Sequence, residues 1–178
     1  MTSTLTAPLT SRTSSTRLDF EALYRSARDD VYAYVATLLR DRSAAEDVTA
    51  AAFERAYRKQ RLFKAARGSE RAWLFGIARN AALDELRRRK RAAALTAEPA
   101  DIDAALPEDS AEAALRRAAV RAALATLEPR ERELIALKFH AGLTNAEIAD
   151  ILGVSASNAG TRVHRALTRL REACHAPS

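Results

Sequence analysis

The chain has 178 residues, a formal net charge of +6 and a pI near 10.0. This positive balance favours a partner that carries phosphate, and nucleic acid is the first candidate. A single cysteine excludes an internal disulfide. No apolar run approaches the length of a membrane span, so we expect a cytoplasmic protein without membrane insertion.

The polar residues do not form a recognisable set for catalysis or metal binding. Cys174 and the histidines are scattered along predicted helices, which is poor spacing for a metal site. No nucleophile is paired with a base in the sequence. We therefore expect no enzymatic activity, no bound metal and no cofactor.

Charge and composition divide the chain into two basic modules. Residues 1–16 are rich in Ser and Thr and are predicted to form a disordered tail. The first module is expected over 17–92 and the second over 113–175. Between them, 93–112 contains acidic residues and prolines but no Lys or Arg, which predicts a linker rather than a continuous helix. This acidic linker either discourages indiscriminate contact with nucleic acid or is a solvated spacer.

The first module is predicted to be all-α, because it combines abundant Ala, Leu and Arg with few β-branched residues. Apolar residues at three- and four-residue steps predict a helix over 19–39. Ser43 and Glu46 have the spacing of a capping box, which predicts the start of a second helix. A loop is expected over 59–69, followed by a third helix. The large residues predicted to face inward include Tyr24, Tyr57, Trp73, Ile77 and Leu86.

The second module contains a helix pair hinged at a glycine. Thr144 and Glu147 repeat the capping-box spacing, so a helix is predicted to begin between them. Gly153 is suited to end that helix in the left-handed conformation. Either Ser155 or Ser157 can cap the next helix. The chain as a whole is thus expected to form two small helical domains joined by the acidic linker.

The last helix has polar residues on the side away from its apolar stripe. At about 100° per residue, Asn158, Arg162, Arg165 and Arg169 fall on one outward face. Arg can bind guanine and Asn can bind adenine bidentately in the major groove. The helix pair therefore predicts a DNA-reading helix-turn-helix motif. The alternative is a helical hairpin whose arginines are merely solvated.

The predicted loop over 59–69 combines basic residues with Phe63. Such a segment can follow a nucleic-acid backbone while an aromatic ring or a pocket receives an unstacked base. The alternative places Phe63 in the hydrophobic core. In that alternative, the basic run over 87–91 is a solvated helix end that interacts favourably with the helix dipole.

Three segments, taken in order, carry a family resemblance. They are SAAEDVTAAAFERAYR at 43–58, RAWLFGIARNAALDELRRRKR at 71–91, and LEPRERELIALKFHAGLTNAEIADILGVS at 127–155 followed by RVHRALTRLR at 162–171. The first two resemble region 2, and the third resembles region 4, of the extracytoplasmic-function (ECF) class of bacterial RNA polymerase sigma factors. The resemblance implies a region-2-like helical bundle and a region-4-like helix-turn-helix domain.

The resemblance also implies roles that spacing alone does not show. It implies a transcription initiation factor that binds core RNA polymerase and directs it to promoter DNA, with melted −10 and duplex −35 elements as targets. The implied −35 contacts are Ser157, Asn158, Thr161, Arg162 and Arg165. The implied −10 contacts are Phe63, Lys64, Arg67, Arg79, Asn80 and Arg87. The implied contacts to polymerase are Asp47, Glu54 and Arg55.

The chain departs from the family pattern at two places. Ala50 and Ala51 replace a frequent Gln-Glu pair in the polymerase-docking segment, and Gly160 replaces a frequent Lys in the recognition helix. The −35 preference of relatives therefore cannot be transferred to this chain. An anti-sigma factor that restrains the protein is a further partner implied by the family.

Two other classes of function are alternatives. A conventional helix-turn-helix regulator would bind duplex DNA as a dimer without polymerase, but it leaves the 71–91 motif without a role. A helical scaffold that binds only protein leaves the outward Asn158, Arg162 and Arg165 unexplained.

Overall fold

The computed structural model describes residues 18–93 and 111–175, and every regular element within them is helical. The α-helices are α1 (Phe20–Leu39), α2 (Arg42–Lys59), α3 (Glu70–Ala93), α4 (Ala111–Thr126), α5 (Pro129–Phe139), α6 (Asn145–Leu152) and α7 (Ala156–His175). Two single 3₁₀ turns, Gln60–Leu62 and Ala65–Arg67, connect α2 to α3. The all-α prediction is confirmed. The predicted tail and nearly all of the predicted linker lie outside the described residues.

The N-terminal bundle consists of α1, α2 and α3. Asp19 caps α1 by accepting a hydrogen bond from the Ala22 N–H (3.0 Å), and Arg40 ends the helix in the left-handed conformation with φ 52°. The buried stripe of α1 recurs at three- and four-residue steps, as the sequence pattern predicted, and packs against α2 and α3. The residues buried from this helix are Leu23, Ala27, Val31, Tyr34, Val35 and Leu39.

Two aromatic residues predicted to face inward lie at the edge of this bundle instead. Tyr24 is 40% exposed and Tyr57 is 58% exposed. Their rings pack edge-on against Phe53 and Phe20 respectively, with centroid distances of 4.8 and 5.2 Å. Edge-to-face contact is a favourable arrangement for an aromatic ring that is covered on one side only. Helical periodicity shows which side of a helix faces inward, but it does not show whether a residue there is fully buried or lies at the edge of the bundle.

The predicted inner face of α3 was partly wrong. Leu86 is exposed, and Trp73 and Ile77 are only partly buried. Phe75, which the sequence analysis did not place inside, is fully buried and meets the Tyr34 ring at 5.5 Å. The reason is that α3 is covered on more than one side, because α1, α2 and α6 all contact it.

The start of α2 also differs from the prediction. Asp41, not Ser43, is the N-cap, and its side chain accepts a hydrogen bond from the Ala44 N–H (3.0 Å). Asp41 also accepts an ion-pair hydrogen bond from Arg89 of α3 (2.9 Å). The N-cap hydrogen bond and the Arg89 guanidinium together lower the pKa of this carboxyl group. The cap is thus fixed by a residue far away in the sequence, which a local motif cannot show.

The C-terminal bundle consists of α4 to α7. α5 begins with Pro129 at its first turn and a reciprocal capping box between Glu128 and Glu131. α7 packs against α4, α5 and α6. α4 begins at Ala111, so the helix starts just inside the predicted linker.

The two bundles pack directly on each other. α5 lies against α1, and α6 approaches α3. Leu134 and Leu137 of α5 belong to the same buried apolar cluster as Val31 and Tyr34 of α1. This shared core determines which polar side chains of the N-terminal bundle remain available at the surface.

We predict that Asp41→Ala lowers the free energy of unfolding by about 0.5–2 kcal/mol, because it removes the N-cap of α2. Urea unfolding followed by circular dichroism at neutral pH measures this loss. Ser43→Ala is the matched control, because Ser43 is exposed and is not the cap, and it should change stability by less than about 0.5 kcal/mol. If Ser43→Ala lowered the free energy of unfolding more than Asp41→Ala, Ser43 would be the N-cap instead.

Candidate nucleic-acid interface

The turn between α6 and α7 is built by local side-chain chemistry. Thr144 Oγ1 accepts a hydrogen bond from the Glu147 N–H (3.2 Å), and Glu147 Oε2 accepts one from the Thr144 N–H (2.9 Å). Gly153 ends α6 at φ 68°, the left-handed region that glycine tolerates best. Ser155 Oγ then accepts a hydrogen bond from the Asn158 N–H (3.2 Å). The predicted helix-turn-helix is therefore present, with Ser155 in the capping position.

The outward face of α7 is open to solvent. The inward residues Ala159, Val163 and Ala166 are buried, and this places the polar side chains on the opposite side. The exposed residues predicted to contact DNA on this helix are Ser157, Asn158, Thr161, Arg162 and Arg165. Thr161 donates its hydroxyl hydrogen bond to the Ser157 carbonyl (3.0 Å), so its hydroxyl is already engaged within the helix.

Arg169, which the sequence pattern also placed on that face, is exposed but already has a partner within the bundle. Its guanidinium forms an ion pair with Glu131 of α5 at 2.5 Å. The Arg169 side chain remains 60% exposed in this ion pair.

Gly160 lies at the close approach of α6 and α7. A Cβ atom at this position would lie 3.0 Å from Nδ2 of Asn145, which is tighter than ordinary van der Waals contact. A larger side chain at position 160 would therefore require the Asn145 side chain to shift by a few tenths of an ångström.

The segment between α2 and α3 borders an open pocket. Phe63 is partly buried and its ring lies 5.6 Å from that of Trp73, tilted by 59°. Lys64 and Arg67 are exposed, and Gly68 has φ 132°. The pocket has a volume of about 740 Å³ and is lined by Ala22, Leu23, Ser26, Phe63, Ala65, Gly68, Ser69, Glu70 and Arg71.

The two alternatives for Phe63 are therefore compatible with each other. One part of the ring packs on Trp73 and the core, while Phe63 also lines the open pocket. A ring held in this way is positioned before a ligand arrives.

The candidate residues of α3 lie in different environments. Asn80 and Arg87 are exposed, and Arg87 pairs with Asp84 at 3.0 Å. Arg79 instead turns towards the C-terminal bundle, where its Nε donates to Glu133 Oε1 at 2.5 Å. The two side chains are only 23% and 12% exposed. The structure therefore separates Arg79 from the other residues predicted to read the −10 element.

Tyr34 completes this buried polar group. Its hydroxyl donates to Glu133 Oε1 at 3.5 Å. Burial raises the pKa of the Tyr34 hydroxyl well above its ordinary value, and the nearby Glu133 carboxylate raises it further. Tyr34 consequently remains a neutral hydrogen-bond donor.

Arg71 forms a second polar contact between the bundles, which the sequence analysis missed. Its guanidinium pairs with Asp30 of α1 at 2.5 Å and lies 5.3 Å from the centre of the Phe75 ring. It also donates to the carbonyl groups of His140 (2.9 Å) and Ala141 (2.5 Å), just after α5. No local pattern links Arg71 to carbonyl groups so far along the chain.

A third contact joins the connecting segment to the helix-turn-helix. Ser69 donates a hydrogen bond to Glu147, the same residue that closes the capping box of α6. The hydrogen bond from Ser69 is the largest cause of a lowered pKa at Glu147. One carboxylate therefore serves both the start of α6 and the contact between bundles.

The residues predicted to contact polymerase lie on the open side of α2. Asp47, Glu54 and Arg55 are all exposed. Glu54 pairs with Arg58 at 2.6 Å, and Arg55 lies 3.9 Å from Asp84 of α3. These exposed ion pairs are weak enough to be exchanged for contacts with a partner.

Within 18–93 and 111–175, no helix is long and apolar enough to cross a membrane. No group of His, Cys, Asp and Glu in the same ranges is arranged to hold a metal ion.

Each of the two bundles matches a known protein-family model. Residues 23–92 match the Sigma-70 region 2 model, and 117–170 match the Sigma-70 region 4 model. These matches define a sigma factor of the two-domain type.

Similar individual proteins show to which class of sigma factor the chain belongs. The ECF RNA polymerase sigma factor BldN of Streptomyces coelicolor is 34% identical over 154 residues, which span 85% of this chain and 58% of BldN. SigL of Mycobacterium tuberculosis is 32% identical over 152 residues, spanning 84% of this chain and 85% of SigL. The chain belongs to the ECF RNA polymerase sigma factors.

Solved structures agree with this assignment. The sigma factor RpoE of Bartonella quintana, in complex with the anti-sigma factor NepR, superposes with a TM-score of 0.78 at 26% identity, covering 90% of this chain and 99% of RpoE. CnrH, in complex with the cytosolic domain of CnrY, superposes with a TM-score of 0.63 at 25% identity, covering 89% of both chains.

Family membership confirms the predicted function at the level of the class. The protein is a sigma factor that binds RNA polymerase and directs it to promoters, and it has no enzymatic activity of its own.

We predict that acid weakens the structure through His140, which lies between the bundles with Nε2 3.5 Å from Thr37 Oγ1. Burial lowers the pKa of His140, and Asp30 only partly offsets this effect. The unfolded chain therefore binds the proton more tightly, so stability from neutral His140 is present above about pH 6.5 and is lost as the pH falls through the lower folded pKa.

Urea unfolding between pH 8 and pH 5.5 tests this prediction. His140→Gln should flatten the fall in stability, whereas His164→Gln, at an exposed position of α7, should leave it unchanged. A wild-type stability that does not change over this range would contradict the prediction.

Proposed function

We propose that the helix-turn-helix of this sigma factor reads a duplex −35 element, while the 59–69 segment and α3 read a melted −10 element. The observation that carries the proposal is the outward row of Asn158, Arg162 and Arg165 on a helix whose opposite side is buried. A helix can enter the major groove only with such a free face. The assigned domains are region 2 over 17–92 and region 4 over 113–175, with the tail and the acidic linker outside them.

Recognition of the −10 element would depend on an unstacked base. Removing a base from the helix costs a few kcal/mol, and a pocket that binds the correct base offsets that cost selectively. Phe63 borders a pocket of sufficient size, and the exposed Lys64 and Arg67 lie beside it to hold the phosphate backbone. Asn80 and Arg87, which are exposed on α3, are the further proposed contacts to the −10 element.

The polymerase contact is assigned to α2. Asp47 and Glu54 share one face of this helix at helical spacing, with Arg55 beside them. Ala50 and Ala51, exposed between these charged residues, leave a small apolar surface within the polar face. A protein partner can therefore approach the helix closely at this point.

An anti-sigma factor is the proposed negative regulator, acting in the cytoplasm. The support comes from RpoE, which was solved with its anti-sigma factor and matches 90% of this chain. A TM-score of 0.78 over both bundles is compatible with a similar relative placement of the two regions in that complex.

Run-off transcription tests the central proposal. Purified core polymerase with this protein should produce promoter-specific transcripts, and core polymerase alone should not. If the isolated chain instead bound one duplex sequence tightly and had no effect on core polymerase, it would act as a conventional regulator.

We predict that single alanine substitutions of Asn158, Arg162 and Arg165 will show which of these residues contact bases and which contact phosphates. Loss of a bidentate base contact should cost about 1–3 kcal/mol and relax preference at one base pair. Loss of a phosphate contact should weaken all sequences equally and reduce the salt slope by about 0.9. Binding of holoenzyme to selected −35 variants measures both effects.

Arg171→Ala is the matched control for the recognition helix. Arg171 is an exposed arginine of α7, about 9 Å further along the helix axis than Arg165 and on a different side. The control should leave −35 binding intact. Unchanged binding with all three test variants would remove α7 from the promoter interface.

We predict that Phe63→Ala impairs transcription from duplex promoters and is partly rescued on a pre-melted template, because base–aromatic stacking contributes about 1–3 kcal/mol per base. Leu62→Ala is the control, since Leu62 is 69% exposed and does not line the pocket. Equal loss on both templates, together with failure to bind core polymerase, would assign Phe63 to the core alone.

A further inference from the structure

The side chain of Asn145, on α6, occupies the space beside Gly160 of α7. A Cβ atom at position 160 would lie 3.0 Å from Nδ2 of Asn145 and 3.8 Å from its Cγ. The Asn145 side chain is exposed, and no hydrogen bond among residues 18–93 and 111–175 involves its amide group. The capping box at the start of α6 is formed by Thr144 and Glu147 without it. The amide is therefore available to bind a ligand.

The position of Gly160 on α7 shows which part of the recognition helix this amide borders. At about 100° per residue, Arg162, Thr161 and Gly160 follow one another around the solvent side of the helix. The buried stripe of α7 fills the remaining arc between Arg162 and Gly160. Thr161 therefore points away from the bundle, and Arg162 and Gly160 lie at the two edges of the face. The Asn145 amide covers the edge opposite Arg162.

The width of the major groove relates these two edges to the two DNA strands. An α-helix with its side chains is about 10–12 Å across, and the major groove is about 12 Å wide. A helix that lies in the groove with Thr161 towards the bases fills it, so each edge of the helix faces one sugar–phosphate backbone. The edge with Arg162 faces one strand, and the edge covered by Asn145 faces the other. Asparagine side chains are among the groups that bind phosphate oxygens in protein–DNA complexes.

We propose that Asn145 is a DNA-binding residue of region 4, whose side-chain amide donates a hydrogen bond to a phosphate oxygen of the −35 duplex, on the strand opposite the one that the Arg162 edge faces. Gly160 permits this contact, because a larger side chain there would push the amide aside. The contact is uncharged, and it fixes the position of α7 in the groove without reading a base. The inference rests on the proposed assignment of α7 to the −35 element.

Binding of holoenzyme with Asn145→Ala to a set of −35 duplexes tests the contact. Affinity should fall about fivefold, which corresponds to the loss of one hydrogen bond. The loss should be equal for all −35 sequences, because a phosphate contact carries no sequence information. The dependence of affinity on salt concentration should not change, because an uncharged amide releases no counterion when it binds.

Asn145→Lys tests the position of residue 145 independently of its amide. A lysine within reach of a phosphate should increase the magnitude of the slope of log affinity against log salt concentration by about 0.9. Ala122→Lys is the matched control, because it adds the same charge at an exposed position of α4 in the same region, and it should leave the slope unchanged. Equal slopes for the two lysine variants would show that residue 145 does not face the DNA backbone.

A double-mutant cycle tests the role of Gly160. Gly160→Leu should displace the amide and lower −35 affinity about fivefold, but it should have little further effect together with Asn145→Ala, because no amide is left to displace. The same loss in both backgrounds would assign the effect to the leucine side chain and overturn the role of Gly160. If Gly160→Leu does not fold, Gly160→Ala provides the milder displacement. Gly76→Ala is its control, since a Cβ at this glycine of α3 would meet nothing within 4 Å.

The outcomes separate this inference from the proposed function. Unchanged affinity of Asn145→Ala for every −35 duplex would overturn the contact, and a loss confined to one base pair would overturn its assignment to a phosphate. If alanine at Asn158, Arg162 and Arg165 impairs −35 binding and the Asn145 variants do not, the inference fails and the proposed function stands. If none of these substitutions affects −35 binding, both fail.

Discussion

The packing of α5 against α1 is the contact on which the arrangement of this molecule depends. Leu137 is fully buried, and it shares one apolar cluster with Val31 and Tyr34 of the other bundle. Burial of large aliphatic and aromatic side chains contributes roughly 1.5–3 kcal/mol each, so this contact can bring polar groups into the interior with it. The Arg79–Glu133 pair is tolerated there because Tyr34 supplies a further hydrogen bond to the carboxylate.

The recognition helix depends on a different constraint, which is local. The capping box of Thr144 and Glu147, the left-handed Gly153 and the cap at Ser155 together define where α6 ends and α7 begins. Each of these positions satisfies backbone groups that a helix end leaves without partners. The outward face of α7 is thus fixed by chain geometry.

Local signals explain what the sequence predicted well. The boundaries of α1 and of the α6–α7 pair follow from caps and from apolar spacing within a few residues, and so do the exposed positions of Asn158 and Arg165. The cap at Asp41 was missed because Asp41 and Ser43 are both suitable N-cap residues, and only Ser43 has the capping-box spacing to Glu46. Burial of Phe75 was missed because α3 is covered on more than one side.

In the candidate site, too, features set by local sequence were predicted, whereas features set by contacts between distant residues were not. Arg79 has the residue type expected of a DNA contact, and nothing near it in the sequence indicates that Glu133 would pair with it. The tyrosines at the rim of the N-terminal bundle show the opposite error, since helical spacing cannot tell an aromatic edge contact from full burial. Contacts between residues far apart in the chain account for each of these differences.

The position of Arg71 has a consequence for how the protein folds. Its guanidinium donates hydrogen bonds to the carbonyl groups of His140 and Ala141, which follow α5 directly. These two hydrogen bonds form only after the chain has closed a loop of about 70 residues, which carries an entropic cost. The two bundles consequently share part of their cooperativity, so each would unfold at lower denaturant concentration when produced without the other.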